Sequence, residues 1–405
     1  MISITVDGLA SSPTCPKCMT VFPADRILQG NRNSEAVAYC KNCGAKVRLI
    51  LPEIDKKLLY LDQSFFSEVW QARDKQDDSV PEQRLLHKLL ELKDRQRIFV
   101  VVSDIHSAET SAIPENYAEK GRAVWQLQNE LADSKIAGNY RDILIAQQRR
   151  KLQYPAAPDD FPPEDIGLKD PFRLRIGMQV MPTNSWRIRI HREAVASREC
   201  INEESKSILE RQAEAVGAGS SIQDCLVHIR GLWRQGLLDG ISAIRQRKLL
   251  MAAAITEDLS SADRQKALNR LLMFAMPPFS RLVTEIVDGL SSEAINDLER
   301  LLEHDPCGGC PSVRIHTAIE AELLNSWCQG FRKNAKKFNA NYGLSRINDV
   351  GHLSTFLPYV DALTTDNDMA SLCQREASIH EIGKTGCRIF SKSTYSKFEA
   401  WLDGV

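Results

Sequence analysis

Two Cys-x-x-Cys pairs, Cys15-Pro-Lys-Cys18 and Cys40-Lys-Asn-Cys43-Gly44, constrain this chain more tightly than any other feature. A zinc ion takes four soft ligands at the corners of a tetrahedron. Two thiolates three positions apart can turn back onto one ion, and a second such pair closes the shell. The 21 residues between the pairs suit a β-hairpin arm. A closed four-thiolate shell leaves no position for substrate, so its role is structural or one of recognition. The surrounding composition fits a reducing compartment. The first fifteen residues, MISITVDGLASSPTC, show neither a charged leader nor an apolar leader core. Eleven cysteines in a cytoplasmic protein are expected to be ligands and buried thiols, not disulfides.

Residues 1–54 therefore resemble a zinc ribbon, a small β-rich module. From residue 55 the pattern changes. LLYL (58–61) reads as a strand ending at Asp62, and a helix follows over about 64–73. Residues 81–95 carry Leu85, Leu86, Leu89, Leu90 and Leu92 at helical spacing. RIFVVV (97–102) is continuous and β-branched, as a strand covered on both faces should be. Strand, helix, helix, strand, helix is the rhythm of a parallel α/β sheet. The rhythm stops at residue 113 and gives way to a long, mostly helical segment to 312. It returns over 313–405, with helices at about 315–333 and 350–358, a strand at 360–364 and CRIF (387–390) before a terminal helix. With 43% hydrophobic and 26% charged residues the chain is of ordinary globular composition, and it has no apolar run long enough for a transmembrane helix. Its net charge of −1 means that any nucleic-acid affinity must come from local patches.

Four segments place a carboxylate at a strand end or in the helix that follows. They are Asp62 in LLYLDQS, Glu109 in VVVSDIHSAET, Asp349 in RINDVGHL and Asp366 in LTTDNDM. In open α/β sheets ligands gather outside the carboxyl ends of the strands. Carboxylates crowded there repel unless a cation compensates, and hard oxygen ligands favour Mg²⁺ or Mn²⁺. Helix capping by Asp62, Asp349 and Asp366 is the bland alternative. Asp361 opens the strand that Asp366 closes, which sets the two on opposite rims unless that strand is short. His106 and His352 stand beside the acidic positions, where each can orient a phosphate or a metal-bound water or simply cap or bury within its helix. Asp104 and Asp368 are adjacent acids for which solvated loop roles are expected.

The order of strand-Asp-x-Ser, strand-Ser…Glu, Asn-Asp and Thr-x-Asp-like elements resembles a PIN-like nuclease domain. The resemblance covers residues 56–112 and 340–401 and departs from a compact PIN domain in the long interval between Glu109 and Asp349. It implies a three-layer α/β core with a parallel sheet, split by a helical insertion. It also implies that Asp62, Glu109, Asp349 and Asp366 are catalytic and hold Mg²⁺ or Mn²⁺; structural zinc on Cys15, Cys18, Cys40 and Cys43 follows separately from their spacing. The activity implied is metal-dependent endonucleolytic hydrolysis, with RNA expected over DNA.

The stretch QGFRKNAKKFNANYGLSR leads directly into Asp349. Its Arg332, Lys333, Lys336 and Lys337, interleaved with Phe331, Phe338 and Tyr342, suit a phosphate backbone and stacked bases. A solvated helix face is the competing reading. Arg187, Arg189 and Arg192, and Arg149-Arg150-Lys151, are lesser basic patches. Cys307-Gly-Gly-Cys310, with His304 and His316 nearby, fits either a second zinc site or a tight turn with thiols of no ligand role. The insertion's leucine-rich helices suit a core or a self-association surface, so a homo-oligomer or a regulatory protein partner is open. Two other functions compete: a non-catalytic scaffold that binds nucleic acid or protein through the zinc ribbon around a degenerate nuclease core, and a phosphohydrolase acting on small nucleotides.

Overall fold

The computed structural model describes chiefly residues 2–5, 14–21, 28–29, 35–50, 53–74, 80–111, 115–132, 136–154, 162–168, 207–255, 278–287, 292–330 and 344–405. Arg332, Lys333, Lys336 and Lys337, and the basic patch of Arg187, Arg189 and Arg192, lie outside the described residues.

The N-terminal module is a four-stranded sheet in the order β1-β4-β3-β2, from β1 (Ile2–Thr5), β2 (Leu28–Gln29), β3 (Glu35–Tyr39) and β4 (Lys46–Ile50). Strands β3 and β4 form an antiparallel hairpin, and the turn joining them carries Cys40 and Cys43. The other cysteine pair sits in a second turn closed by a Thr14–Val21 bridge.

The two turns are built alike. The amide of each first cysteine donates to the carbonyl five residues on, Cys15 to Thr20 and Cys40 to Ala45, both at 2.8 Å. The residue four on then donates back to the cysteine carbonyl, Met19 at 2.7 Å and Gly44 at 2.8 Å. This geometry requires a left-handed backbone just after the second cysteine, with φ +57° at Met19 and +66° at Gly44. Glycine adopts that conformation freely, whereas an L-residue pays roughly 1–2 kcal/mol for it.

The main body holds a second, wholly parallel sheet in the order β7-β6-β5-β8-β9. Its strands are β5 (Lys57–Tyr60), β6 (Ile98–Ser103), β7 (Ile136–Ala137), β8 (Ala362–Thr364) and β9 (Arg388–Phe390). Strand alternation sorts the side chains into two cores. Leu58, Tyr60, Phe99, Val101 and Leu363 face one side, where Ile315, Ile319, Leu353 and Phe356 meet them. Leu59, Leu61, Ile98, Val100, Val102 and Ala362 face the other, against Phe65, Phe66, Val69, Leu85, Leu89 and Phe398. The sheet is thus a middle layer buried on both faces, which explains why its strands read as unbroken apolar runs.

Helices α1 (Gln63–Asp74), α2 (Pro81–Asp94) and α4 (Ala118–Ala132) line the second side, after α3 (Asp104–Ser111) leaves the end of β6. Pro81 at the first position of α2 starts that helix, since proline has no amide to leave unpaired there. Strand β7 and helix α4 fall within the segment expected to be insertion, yet α4 supplies Val124, Leu127 and Leu131 to this core. A two-residue strand has no period to read.

Helices α5 (Tyr140–Gln153), α6 (Ile222–Ile255), α7 (Pro278–Val287) and α8 (Ser292–His304) form the helical body. Ile295, Leu298 and Leu302 pack there with Leu237, Ile241 and Ile286, so the AINDLERLL stretch is core. Helix α9 (Pro311–Gly330) and helix α10 (Leu344–Phe356) return the chain to the sheet. There follow α11 (Asn367–Cys373), α12 (Glu376–Gly383) and α13 (Tyr395–Asp403). Among the described residues no helix is long and apolar enough to cross a membrane.

Nothing lies within 4 Å of the place a Cβ would occupy at Gly44, so the left-handed backbone at Met19 is the difference in strain between the two cysteine turns. Met19→Gly is therefore expected to stabilise the zinc-loaded ribbon by about 1 kcal/mol, read as increased resistance to denaturant. A loss of stability would contradict the equivalence of the two turns.

Candidate functional site

The two cysteine pairs meet. Cys15 Sγ lies 3.6 Å from Cys43 Sγ, and Cys18 Sγ 3.3 Å from Cys40 Sγ. All four sulfurs lie within 4.8 Å of one another, and among the described residues no other His/Cys/Asp/Glu set is so gathered. Tetrahedral zinc with bonds of about 2.3 Å needs sulfurs about 3.8 Å apart, so the set fits zinc. The Thr20 hydroxyl, 3.2 Å from Cys18 Sγ, holds that thiol down at about 6, which favours the thiolate that zinc requires.

The acids come together at the other sheet. Strands β6, β5 and β8 are adjacent and parallel, so the segments following them leave by the same rim. Asp62 follows β5, Glu109 lies in α3 after β6, and Asp366 follows β8. Helix α10 lies against the same sheet and carries Asp349 on its first half. Burial pushes the Asp349 carboxyl up to about 9, and the charges of Asp62, Asp366 and Glu109 push it in the same direction. All four acids expected from the sequence thus share one electrostatic neighbourhood. Their oxygens do not close to the spacing of the cysteine sulfurs. Carboxylates that keep their charge have every reason to stay apart.

Each acid is held differently. The amide of Asp62 donates to Thr364 Oγ1 at 3.0 Å, which ties the ends of β5 and β8 together. Its Oδ2 accepts the Ser64 hydroxyl at 2.6 Å. Burial raises its pKa, against that hydrogen bond. Asp366 caps α11, with Oδ1 accepting the Met369 amide at 2.8 Å. Capping therefore accounts for part of its position. It does not account for Asp349. The helix starts at Leu344, several residues before the expected start, and leaves Asp349 in its interior.

Arg346, one turn before Asp349, gives the rim a cation of its own. Its Nη1 lies 3.2 and 3.0 Å from the two Asp366 oxygens, and its Nη2 donates to Asp368 at 2.7 Å. In the sequence Arg346 is one more member of the basic stretch; its ion pairs depend on the return of β8 and cannot be read from spacing. Asp361 lies at the opposite rim. Its Oδ2 accepts the Leu58 amide at 2.8 Å and its Oδ1 sits 3.4 Å from Lys57 Nζ, at the start of β5.

His106 and His352 are buried, at 0% and 3% exposure. Burial lowers them to about 4 and about 3, so both are neutral near pH 7. The His106 Nε2–H donates to the Leu61 carbonyl at 2.7 Å, and its Nδ1 accepts the Ser103 amide at 3.0 Å. Cys307 and Cys310 flank a tight turn in which Gly308 and Gly309 have φ of +61° and +72°. Asp305 accepts the amides of Cys307 and Gly309. Burial pushes the Cys307 thiol up to about 11 and that of Cys310 higher still, and Cys310 Sγ rests 3.1 Å from Gln147 Oε1. His316 stacks on Tyr140 instead of joining them. The turn reading fits this geometry.

The raised Asp349 carboxyl links stability to pH. The folded protein holds this proton above the pH at which the unfolded chain releases it. Its contribution to stability is complete below about pH 4 and is lost as pH rises through about 9. Without divalent cations, stability should fall across that window, and Asp349→Asn should flatten the slope and raise the melting temperature at pH 8. Thermal denaturation over a pH series measures both; an unchanged slope in the variant would place Asp349 outside the acidic neighbourhood.

No protein-family model, no curated protein and no solved structure matches this chain.

Proposed function

We propose that the protein is a metal-dependent endonuclease with a PIN-like core, acting on RNA in the cytoplasm. The observation that carries this is the convergence of Asp62, Glu109, Asp349 and Asp366 at the carboxyl ends of three adjacent parallel strands. Burial raises Asp349, and the charges of Asp62, Asp366 and Glu109 raise it further. Hard oxygen donors suit Mg²⁺ or Mn²⁺. Such an ion, when bound, supplies Lewis acidity and a water of lowered pKa. The chain's own part is to hold four carboxylates against their mutual repulsion and to bring the phosphodiester to them.

The zinc ribbon suits delivery of that substrate. Its described knuckle residues, 14–21 and 39–48, hold exposed Lys17, Lys41, Lys46 and Arg48 and no acid. Lys46 Nζ lies 5.9 Å from the centre of the exposed Tyr39 ring. Cations track phosphates and an exposed ring stacks bases. Arg332, Lys333, Lys336 and Lys337, which precede Asp349 in the sequence, would add further phosphate contacts.

One observation favours the scaffold reading. Arg346 already engages Asp366 and Asp368, which partly neutralises the rim without any metal. A divalent titration separates the two readings. Binding to the folded state alone raises the melting temperature, so a working cluster should respond to Mn²⁺, and Asp62→Asn or Asp366→Asn should abolish the response. RNA cleavage should fall by about two to three orders of magnitude in either variant, the usual worth of a group stabilising transition-state charge. Because Asp349 must lose a proton to serve as a ligand, Mn²⁺ affinity should rise with pH toward 9. Full, EDTA-insensitive cleavage by the doubly substituted protein would reject the nuclease mechanism. A flat Mn²⁺ titration of the unmodified protein would favour the scaffold.

A further inference from the structure

Beneath the acidic rim lies a buried polar knot that is independent of the acids' own hydrogen bonds. The Tyr60 hydroxyl sits at its centre. It is 3.4 Å from Ser103 Oγ, 3.4 Å from His106 Nδ1, and hydrogen-bonded to His352 Nδ1. Ser103 Oγ lies 3.2 Å from His106 Nδ1. All four residues are at most 3% exposed. The rings pack as well, with centroids of Tyr60 and His106 4.9 Å apart, Tyr60 and His352 5.3 Å, and His106 and His352 5.4 Å.

An apolar trio would fill this space with less difficulty. Buried polar groups cost stability unless each is paired, and His352 Nε2 has no hydrogen-bond partner here. What the knot contributes is geometry. Tyr60 stands two residues before Asp62 and on the same strand end. His106 stands one helical turn before Glu109. His352 stands one turn after Asp349. Each arm of the knot thus belongs to an element that carries a different acid. The tautomer is set from outside, because the Leu61 carbonyl takes the His106 Nε2–H and leaves Nδ1 to accept. A directional contact between three elements resists the separation that three repelling carboxylates would otherwise drive; apolar packing, being non-directional, resists it less.

We propose that Tyr60, His106, His352 and Ser103 are positioning residues, which fix the spacing of Asp62, Glu109 and Asp349 for cation binding. This rests on the reading of the four acids as a Mg²⁺ or Mn²⁺ site, and goes beyond it in assigning the network that makes the site competent. The buried histidines act as neutral hydrogen-bonding groups, so no proton transfer is assigned to them.

Tyr60→Phe removes only the central hydroxyl. The full-length variant should keep its fold, while its Mn²⁺ dissociation constant rises about tenfold, the lower end of what outer-shell partners of metal ligands contribute. Mn²⁺ binding is read by the free-ion electron spin resonance signal, and RNA cleavage should need correspondingly more Mn²⁺ for half-maximal rate. Phe356→Leu is the control for mere loss of packing, since Phe356 stacks on the same tyrosine ring with centroids 4.3 Å apart. It should lower the melting temperature and leave the Mn²⁺ constant unchanged. His352→Gln, which keeps a hydrogen-bonding group, replaces Tyr60→Phe should that variant fail to fold. If the unmodified protein binds Mn²⁺ and the knot variants bind it equally well, the positioning role is wrong and the acid site stands. If the unmodified protein does not bind Mn²⁺, both fall together.

Discussion

Mutual repulsion among carboxylates is the constraint around which the main body is arranged. Asp62, Glu109 and Asp366 leave the same end of three neighbouring strands, and helix α10 adds Asp349 beside them. Such crowding costs free energy, and the fold must supply it from elsewhere. The supply is a sheet buried on both faces. Leu59, Phe65, Phe66, Leu85 and Leu89 are fully buried on one side and Leu357 and Ile319 on the other. At about 1.5–3 kcal/mol for each large apolar side chain buried, two such cores exceed the cost of one strained rim.

The rim and the ribbon solve opposite problems. The ribbon's cysteines sit within 4.8 Å of one another, a spacing that thiols, ordinarily neutral near pH 7, tolerate better than carboxylates do. Cys18 is drawn toward the thiolate by Thr20, and Cys40 by the backbone amide of Cys43. Carboxylates are charged at neutral pH and cannot wait in contact. They either separate or retain a proton, and the upward shift of Asp349 shows the second response alongside the first. One chain thus holds a closed cluster of sulfurs and an open cluster of carboxylates.

Much of this was legible in the sequence. Strand runs at 58–61 and 97–102 stood out because double-sided burial removes polar alternation, and Asp62 and Asp366 stood out because a carboxylate directly follows a strand. Local patterns could not place the helix start before Asp349. LSRI supplies no capping residue that outweighs the Asn-Asp pair, and only packing against β5 and β8 decides it. Tyr60 read as one more apolar strand residue, because the partners of its hydroxyl lie 43 to 292 positions away. Strand β7, two residues long, exists only as the neighbour of β6. Contacts of this range leave no periodic trace in a sequence.

Arg346 bears on whether the rim is finished or waiting. A guanidinium can replace a metal ion as the permanent counter-charge of an acidic cluster, and a rim so neutralised would be a structural salt bridge. The geometry divides its attention unevenly. Both Nη groups are directed at Asp366 and Asp368, the pair at the start of α11, and Asp368 is the more exposed of the two. Asp349 feels Arg346 only as a lesser, opposing influence and remains raised to about 9. Burial is the first cause of that shift, and the charges of Asp62, Asp366 and Glu109 add to it, so Arg346 does not offset the whole acidic field at Asp349. Arg346 thus accounts for the Asp366 side of the rim and leaves room for a second positive charge on the other.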